Sequence, residues 1–283
     1  MGKWRIGDVT ITKVVELEAT GGSRFILPQA TRDAVLPIGW LQPHFADDEG
    51  RLKMSVHTFL VETPTRRMLV DTCIGNDKQN RHIPAWNNLQ GSFLADIAAA
   101  GFPRESVDTV LCTHLHVDHV GWNTMLSGGR WIPTFPNARY IMGRMEYDHW
   151  THSERPDMQH IMGDSVKPVF DAGLVDLVEM DATLDDEISL RPTVGHTPGH
   201  VSVRIRSKGE EALITGDFMH HPVQIAHPEW ASTPDSDPER GIATRRAMFA
   251  ELAGSNVLVI GTHFAGATAG RIVRDGDTYR LAV

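Results

Sequence analysis

The sequence predicts a layered α/β fold, on three observations. Strand-like and helix-like stretches recur in both halves of the 283 residues, with no low-complexity linker dividing them. Several apolar, β-branched runs end in a His or Asp on a loop, where α/β sheets usually carry their sites. The composition, 41% hydrophobic and 22% charged, can bury a sizeable core without disulfide or metal staples. A single domain over residues 1–283 is expected rather than two independent units.

Taken in order, residues 4–17 alternate well enough for an opening strand. Residues 18–52 are irregular, with Gly21-Gly22, Pro28, Pro37 and Pro43, and a loop of that length reads as a lid or a binding arm. Its apolar residues, Phe25, Ile26, Leu27, Ile38, Trp40, Leu41 and Phe45, either line a cleft or dimer contact or pin the loop to the core. Residues 54–62 and 67–71 form a strand pair ending at Asp71, a carboxylate that either orients a ligand loop or caps its turn. Leu89, Phe93 and Ile97 share one helix face, with Asn88 as N-cap and Gly101-Phe102-Pro103 as stop. Val107–Cys112 is a buried strand, followed by a tight loop and a helix start near Gly121.

Further strands are expected at 139–142, 174–180, 187–191, 201–206 and 211–216, and helices at 144–152 and 158–171. Asp237-Pro238-Glu239 is a good helix opening, and Gly254 closes that helix. Asn256–Ile260 reads as the last buried strand.

The chemistry concentrates after the central strand. Three imidazoles and a carboxylate, His114, His116, Asp118 and His119, fall within six residues. Imidazole nitrogen and carboxylate oxygen are the donors that suit zinc and its neighbours. Later segments repeat the arrangement: His196 in a Gly/Pro-rich turn, Asp217 after the run Leu213–Thr215, and His263 after Val259–Ile260. Each alone reads as a turn cap or polar strand end; together they supply further ligands.

The order and spacing His114-x-His116-x-Asp118-His119, then His196, Asp217 and His263, resembles the metallo-β-lactamase superfamily. The resemblance runs from Asp71 to His263 and implies a four-layer αβ/βα sandwich with a dinuclear site at the sheet edges. It implies that His114, His116 and His196 hold one metal, that Asp118, His119 and His263 hold the second, and that Asp217 bridges them. Two divalent ions are implied, zinc first, with manganese, iron or cobalt suited to the same donors. Metals roughly 3.5–4 Å apart can share a hydroxide that is nucleophilic near neutral pH, so no Ser or Cys nucleophile is needed.

Departures narrow the branch. His116 stands where flavodiiron relatives carry an acid, and Asp217 stands where true β-lactamases lack one. No basic C-terminal substrate motif resembles the glyoxalase II-like enzymes, and the nuclease relatives' further domain and basic face are missing. The remaining resemblance is to the lactonase and methyl parathion hydrolase branch. There a Tyr three residues after the bridging Asp touches the substrate carbonyl; here the position is His220. His220 either donates to a carbonyl or phosphoryl oxygen or is a plain loop residue. With Asp118 it completes the candidate catalytic pair. Trp122, Trp86, Trp40 and Phe218 are candidates for a pocket wall or for core packing, and His200 reads as a turn-stabilising residue.

The expected function is a dinuclear metal-dependent hydrolase using a bridging hydroxide on a small uncharged lactone or carboxylic ester. Alternatives are an organophosphate triester hydrolase, a mononuclear-iron dioxygenase of the same fold, and a metal-stabilised binding protein. The net charge of -9 argues against a nucleic-acid partner. No apolar run approaches ~20 residues and no signal-peptide pattern opens the chain, so a soluble, cytoplasmic protein is expected, with no membrane partner. The sequence leaves oligomeric state open; by analogy with relatives, 18–52 is the arm through which a homodimer could form. Cys73 and Cys112 read as buried free thiols.

Overall fold

The structure, a computed structural model, describes residues 2–283. The chain forms two compact units, one running to Glu16 and resuming over Val56–Met180, the other comprising Leu17–Ser55 and Asp181–Val283.

In the first unit, β1 (Lys3–Ile6) and β2 (Val9–Thr20) make a hairpin, with Ile6 paired to Val9. The expected single strand over 4–17 is thus broken by Gly7, whose φ of 55° permits the two-residue turn. β3 (Lys53–Glu62) pairs antiparallel with β4 (Arg67–Val70), and Thr63 accepts from the Thr65 and Arg66 amides in the turn between them. β5 (Thr109–Leu111) runs parallel to β4, with Val70 opposite Leu111. β6 (Thr124–Ser127) and β7 (Arg130–Pro133) form a separate hairpin, turned by Gly128 and Gly129. β8 (Arg139–Gly143) and β9 (Val175–Val178) complete the sheet in parallel, in the order β1-β2-β3-β4-β5-β8-β9.

Helix starts moved where capping chemistry competed with periodicity. The helix expected from Leu89 begins at Phe93, because Asn88 sits at φ 54° and cannot open it. No α-helix begins near Gly121; a single 3₁₀ turn, Gly121–Asn123, leads straight into β6. Residues 156–171 are helical but interrupted by a π turn, Met162–Val166, between Pro156–Ile161 and Lys167–Asp171.

The second unit carries a six-stranded sheet in chain order: β10 (Ile188–Pro192), β11 (Val201–Ser207), β12 (Glu210–Ile214), β13 (Leu258–Ile260), β14 (Ala269–Asp275) and β15 (Thr278–Ala282). Only β12 and β13 pair in parallel, and the helix Pro238–Leu252 lies in the crossover between them. Asp237 caps that helix through the Arg240 amide, as its sequence suggests. The strand expected to be last, β13, is followed by the β14–β15 hairpin.

Segment 18–52 belongs to this unit. Leu27, Val35, Leu41, Phe45 and Leu52 are buried in one cluster with Phe218, Phe249 and Phe264. The reading that these residues pin the loop to a core holds for them, whereas Phe25 is 56% exposed. Phe218 is itself a core residue, and Trp122 packs in the first unit, stacked on Phe93 at 5.3 Å. Both cysteines are buried and free. No helix among the described residues is long and apolar enough to cross a membrane.

Candidate metal centre

Strand register explains how each unit gathers its donors. β4 and β5 end side by side, so Asp71 and Thr113 emerge from neighbouring parallel strands, and the Asp71 amide donates to Leu111. The Asp71 carboxylate then accepts from the Thr113 amide (2.8 Å), the Thr113 hydroxyl (2.9 Å) and His119 Nδ1 (2.9 Å). Asp71 is therefore the orienting carboxylate of the loop; the turn-cap reading is satisfied by the same atoms. In the second unit Ile214 pairs with Ile260, and Asp217 and His263 lie at the same offset of three residues beyond them. His196 stands on the connection between β10 and β11.

The first unit brings His114, His116, Asp118 and His119 together. His114 Nε2 lies 3.2 Å from His116 Nδ1, the His114 and His119 rings are 4.0 Å apart, and His119 Nε2 lies 3.6 Å from Asp118 Oδ1. His114 and His119 are buried, while His116 and Asp118 keep partial exposure. The second unit brings His196, Asp217, His220 and His263 together. Nε2 of His196, His220 and His263 stands 3.5, 3.2 and 3.2 Å from the Asp217 carboxylate. Ligand atoms of His196, Asp217 and His220 all lie within 4.8 Å of one another.

Tautomers follow from the partners. His119 Nδ1 faces Asp71, His196 Nδ1 faces Asp235 Oδ1 at 3.0 Å, and His263 Nδ1 faces the Ser55 carbonyl at 3.0 Å. Each acceptor holds the proton on Nδ1 and leaves Nε2 with a lone pair. Thr113 extends the rule: its hydroxyl donates to Asp71 and accepts from His114 Nδ1, at 3.1 Å. Several bare nitrogens and carboxylates crowded at 3–4 Å are mutually repulsive unless a cation sits among them. The donor set fits a divalent metal.

His220 breaks the pattern. Its Nδ1 is buried, and no hydrogen-bond partner reaches it among the described residues. The proton therefore belongs on Nε2, where it is donated toward Asp217. Burial pushes the His220 pKa down against the Asp217 charge, so the ring is a neutral donor.

Four supporting groups went unseen in the sequence. Asp235 accepts from His196, from the Ser232 amide and from the Ser232 hydroxyl. Burial alone would raise its pKa, but the hydrogen bonds from His196 and Ser232 hold it well below the usual carboxylate range. Glu16 accepts from the Ile74 and Gly75 amides and the Trp122 indole, and burial raises its pKa against those bonds. Glu146 accepts from the Leu115 amide, and the Ser55 carbonyl meets His263. No local spacing ties these residues to their partners; Asp235, for instance, is 39 residues from His196. His200 acts as expected, with Nδ1 on Thr193 and Nε2 accepting from the Asp217 amide at 2.6 Å.

Residues 52–276 match the family model described as "Metallo-beta-lactamase superfamily". An N-acyl homoserine lactonase from Bacillus sp is 27% identical over 182 residues, 60% of this chain and 66% of that protein. The N-acyl homoserine lactonase AttM of Rhizobium radiobacter is 30% identical over 139 residues, 46% of this chain and 48% of that protein. The chain thus spans between about half and just under two thirds of these relatives' length. Among solved structures, hydrolase AbOPH of the beta lactamase superfamily matches with TM-score 0.81 and 24% identity, over 99% of this chain and 96% of that one. AidC, a dizinc quorum-quenching lactonase with a bound product, matches with TM-score 0.78 and 20% identity over 99% and 96%. These likenesses establish the fold.

Proposed function

The chain belongs to the metallo-β-lactamase superfamily, and from that premise we propose that it is a dinuclear metal-dependent hydrolase of lactones or carboxylic esters. His114, His116 and His196 would hold one divalent ion, Asp118, His119 and His263 the second, with Asp217 shared. Zinc is the proposed metal. The observation that carries the reading is the locked Nδ1 of His119, His196 and His263, which leaves each Nε2 as a lone-pair donor. Similarity to proteins named as lactonases supports the substrate class.

Divalent ions held by these residues would supply a nucleophilic hydroxide near neutral pH and would offset negative charge developing on the substrate. The protein's own groups do the rest. Asp71 and Asp235 fix the ring orientations of His119 and His196. His220 carries its one proton on Nε2 and would turn it from Asp217 to the carbonyl oxygen as negative charge develops there. Asp118, whose side chain retains 15% exposure, would take the proton left on the newly formed carboxylic acid and pass it to the leaving alkoxide. An ester opened in this way yields a carboxylate and an alcohol; a lactone yields both on one molecule.

The test is turnover of the metal-loaded protein on a γ-lactone, an aryl ester and an aryl phosphotriester, with and without chelator. Chelator-sensitive preference for the lactone or ester is expected. Preference for the phosphotriester would replace the substrate class, and no turnover with two metals bound would refute it.

A further inference from the structure

We propose that Glu146 is a positioning residue for the ligand loop: acting through the Leu115 amide, it sets the spacing at which His114 and His116 present their ring nitrogens. The proposal rests on the metal-binding reading above.

Glu146 lies in the helix Arg144–Thr151, which begins directly after β8. It is 1% exposed, and a carboxylate is costly to bury unless hydrogen-bonded. One oxygen, Oε1, accepts both from the Leu115 amide at 3.1 Å and from the Trp150 indole at 2.6 Å. Glu146 and Trp150 are four residues apart, so they share one face of the helix. Trp150 is 3% exposed, and its ring lies 5.4 Å from that of His116, tilted by 53°. One helical turn therefore grips the backbone between the two histidines and backs the ring of the second.

Leu115 stands between the two imidazoles in the chain, and its side chain is fully buried. The residue before His114 is already held, because the Thr113 amide donates to Asp71. With Thr113 fixed from β4 and Leu115 fixed from the helix, the His114–His116 segment has little freedom to spread. Its two ring nitrogens stay 3.2 Å apart. Asp71 holds the loop through Thr113 and His119, and Glu146 holds it through the Leu115 amide. Outer groups of this kind typically change metal affinity by 10–100-fold when removed.

Three variants test the tether: Glu146→Ala, Glu146→Gln and Trp150→Phe. Glutamine keeps an oxygen that can accept from both N–H groups, so Glu146→Gln should retain native behaviour. Three readouts apply: hydrogen exchange at the Leu115 amide without metal, zinc affinity by chelator competition, and the absorption spectrum of the Co(II)-loaded protein. Glu146→Ala should speed Leu115 exchange by about tenfold or more, weaken zinc binding about 10–100-fold and alter the Co(II) spectrum. Trp150→Phe should leave Leu115 protected and shift only the Co(II) spectrum. A folded Glu146→Ala protein with native Leu115 exchange and a native spectrum overturns the proposal. So does a Glu146→Gln protein that loses Leu115 protection, and this arm decides the matter if the alanine variant does not fold. Wild-type protein that binds no zinc refutes the metal reading instead, and Leu115 exchange then still judges the tether.

Discussion

His220 differs from the other histidines around Asp217 at a single atom. His196 and His263 each have an acceptor at Nδ1; His220 has none among the described residues. An imidazole has one proton to place, so the absence of an acceptor at Nδ1 makes Nε2 a donor. That tautomer is the basis of the proposed hydrogen-bonding role. Replacing His220 with Phe keeps the ring volume and removes the donor. The expected result is a loss of roughly 10²–10³ in kcat, the cost of removing one oxyanion donor, with metal content unchanged. Native turnover in that variant would end the donor role. Loss of one metal per chain would make His220 a ligand instead. At the same scale, the loop's exit at Gly121 admits no side chain: a Cβ there would lie 1.8 Å from the Ile74 carbonyl oxygen.

At the scale of elements, the interrupted helix 156–171 has a cause in the first unit's interior. Asp164, in the π turn Met162–Val166, turns its carbonyl toward Lys78 Nζ at 3.1 Å and toward the Thr124 hydroxyl. Its carboxylate accepts from Arg81 at 2.9 Å. Lys78 is fully buried, donates to Thr124 Oγ1 at 2.6 Å and sits 3.7 Å over the Trp131 ring. A π turn is tolerated where side-chain or backbone partners reward it, and here it supplies acceptors to a buried ammonium. Burial pulls the Lys78 pKa from 10.5 down to about 7, against the attraction of Asp164. The sign follows: between pH 7 and 10.5 the unfolded chain holds a proton the folded one has lost, so stability rises with pH across that window. In urea unfolding, the wild-type midpoint should therefore climb relative to that of Lys78→Met from pH 7 to pH 9.5. Parallel curves would show that Lys78 stays charged when folded.

At the scale of the whole molecule, metal binding and folding are linked. The donor sets lie on loops whose close nitrogens and carboxylates repel one another without a cation. A ligand that binds only the folded chain stabilises it by mass action, about 2.7 kcal/mol at a hundredfold excess over Kd. Chelator should lower Tm by several degrees, and zinc should restore it, whereas a surplus of magnesium should not. A melting curve indifferent to chelator would mean that the donors are held apart by protein contacts alone. The net charge of -9 makes added cation favourable at long range as well, so this shift should shrink as ionic strength rises.

The sequence by itself determined the α/β class, most strand positions, the helix opening at Asp237 and the family, because apolar periodicity, capping residues and ligand spacing are local properties. It also marked His114, His116, Asp118, His119, His196, Asp217 and His263 as a set. It did not show where Gly7 would break the first strand, why Asn88 could not open a helix, or that a hairpin would follow His263. Those outcomes depended on single backbone conformations and on pairings between distant segments. Above all, tertiary structure decided the supporting shell. Asp235 meets His196, Glu146 meets Leu115 and Ser55 meets His263 only because strand order and register bring them there. Local spacing carries the donors themselves; the partners that orient a donor are chosen by proximity in space, and linear sequence does not encode that directly.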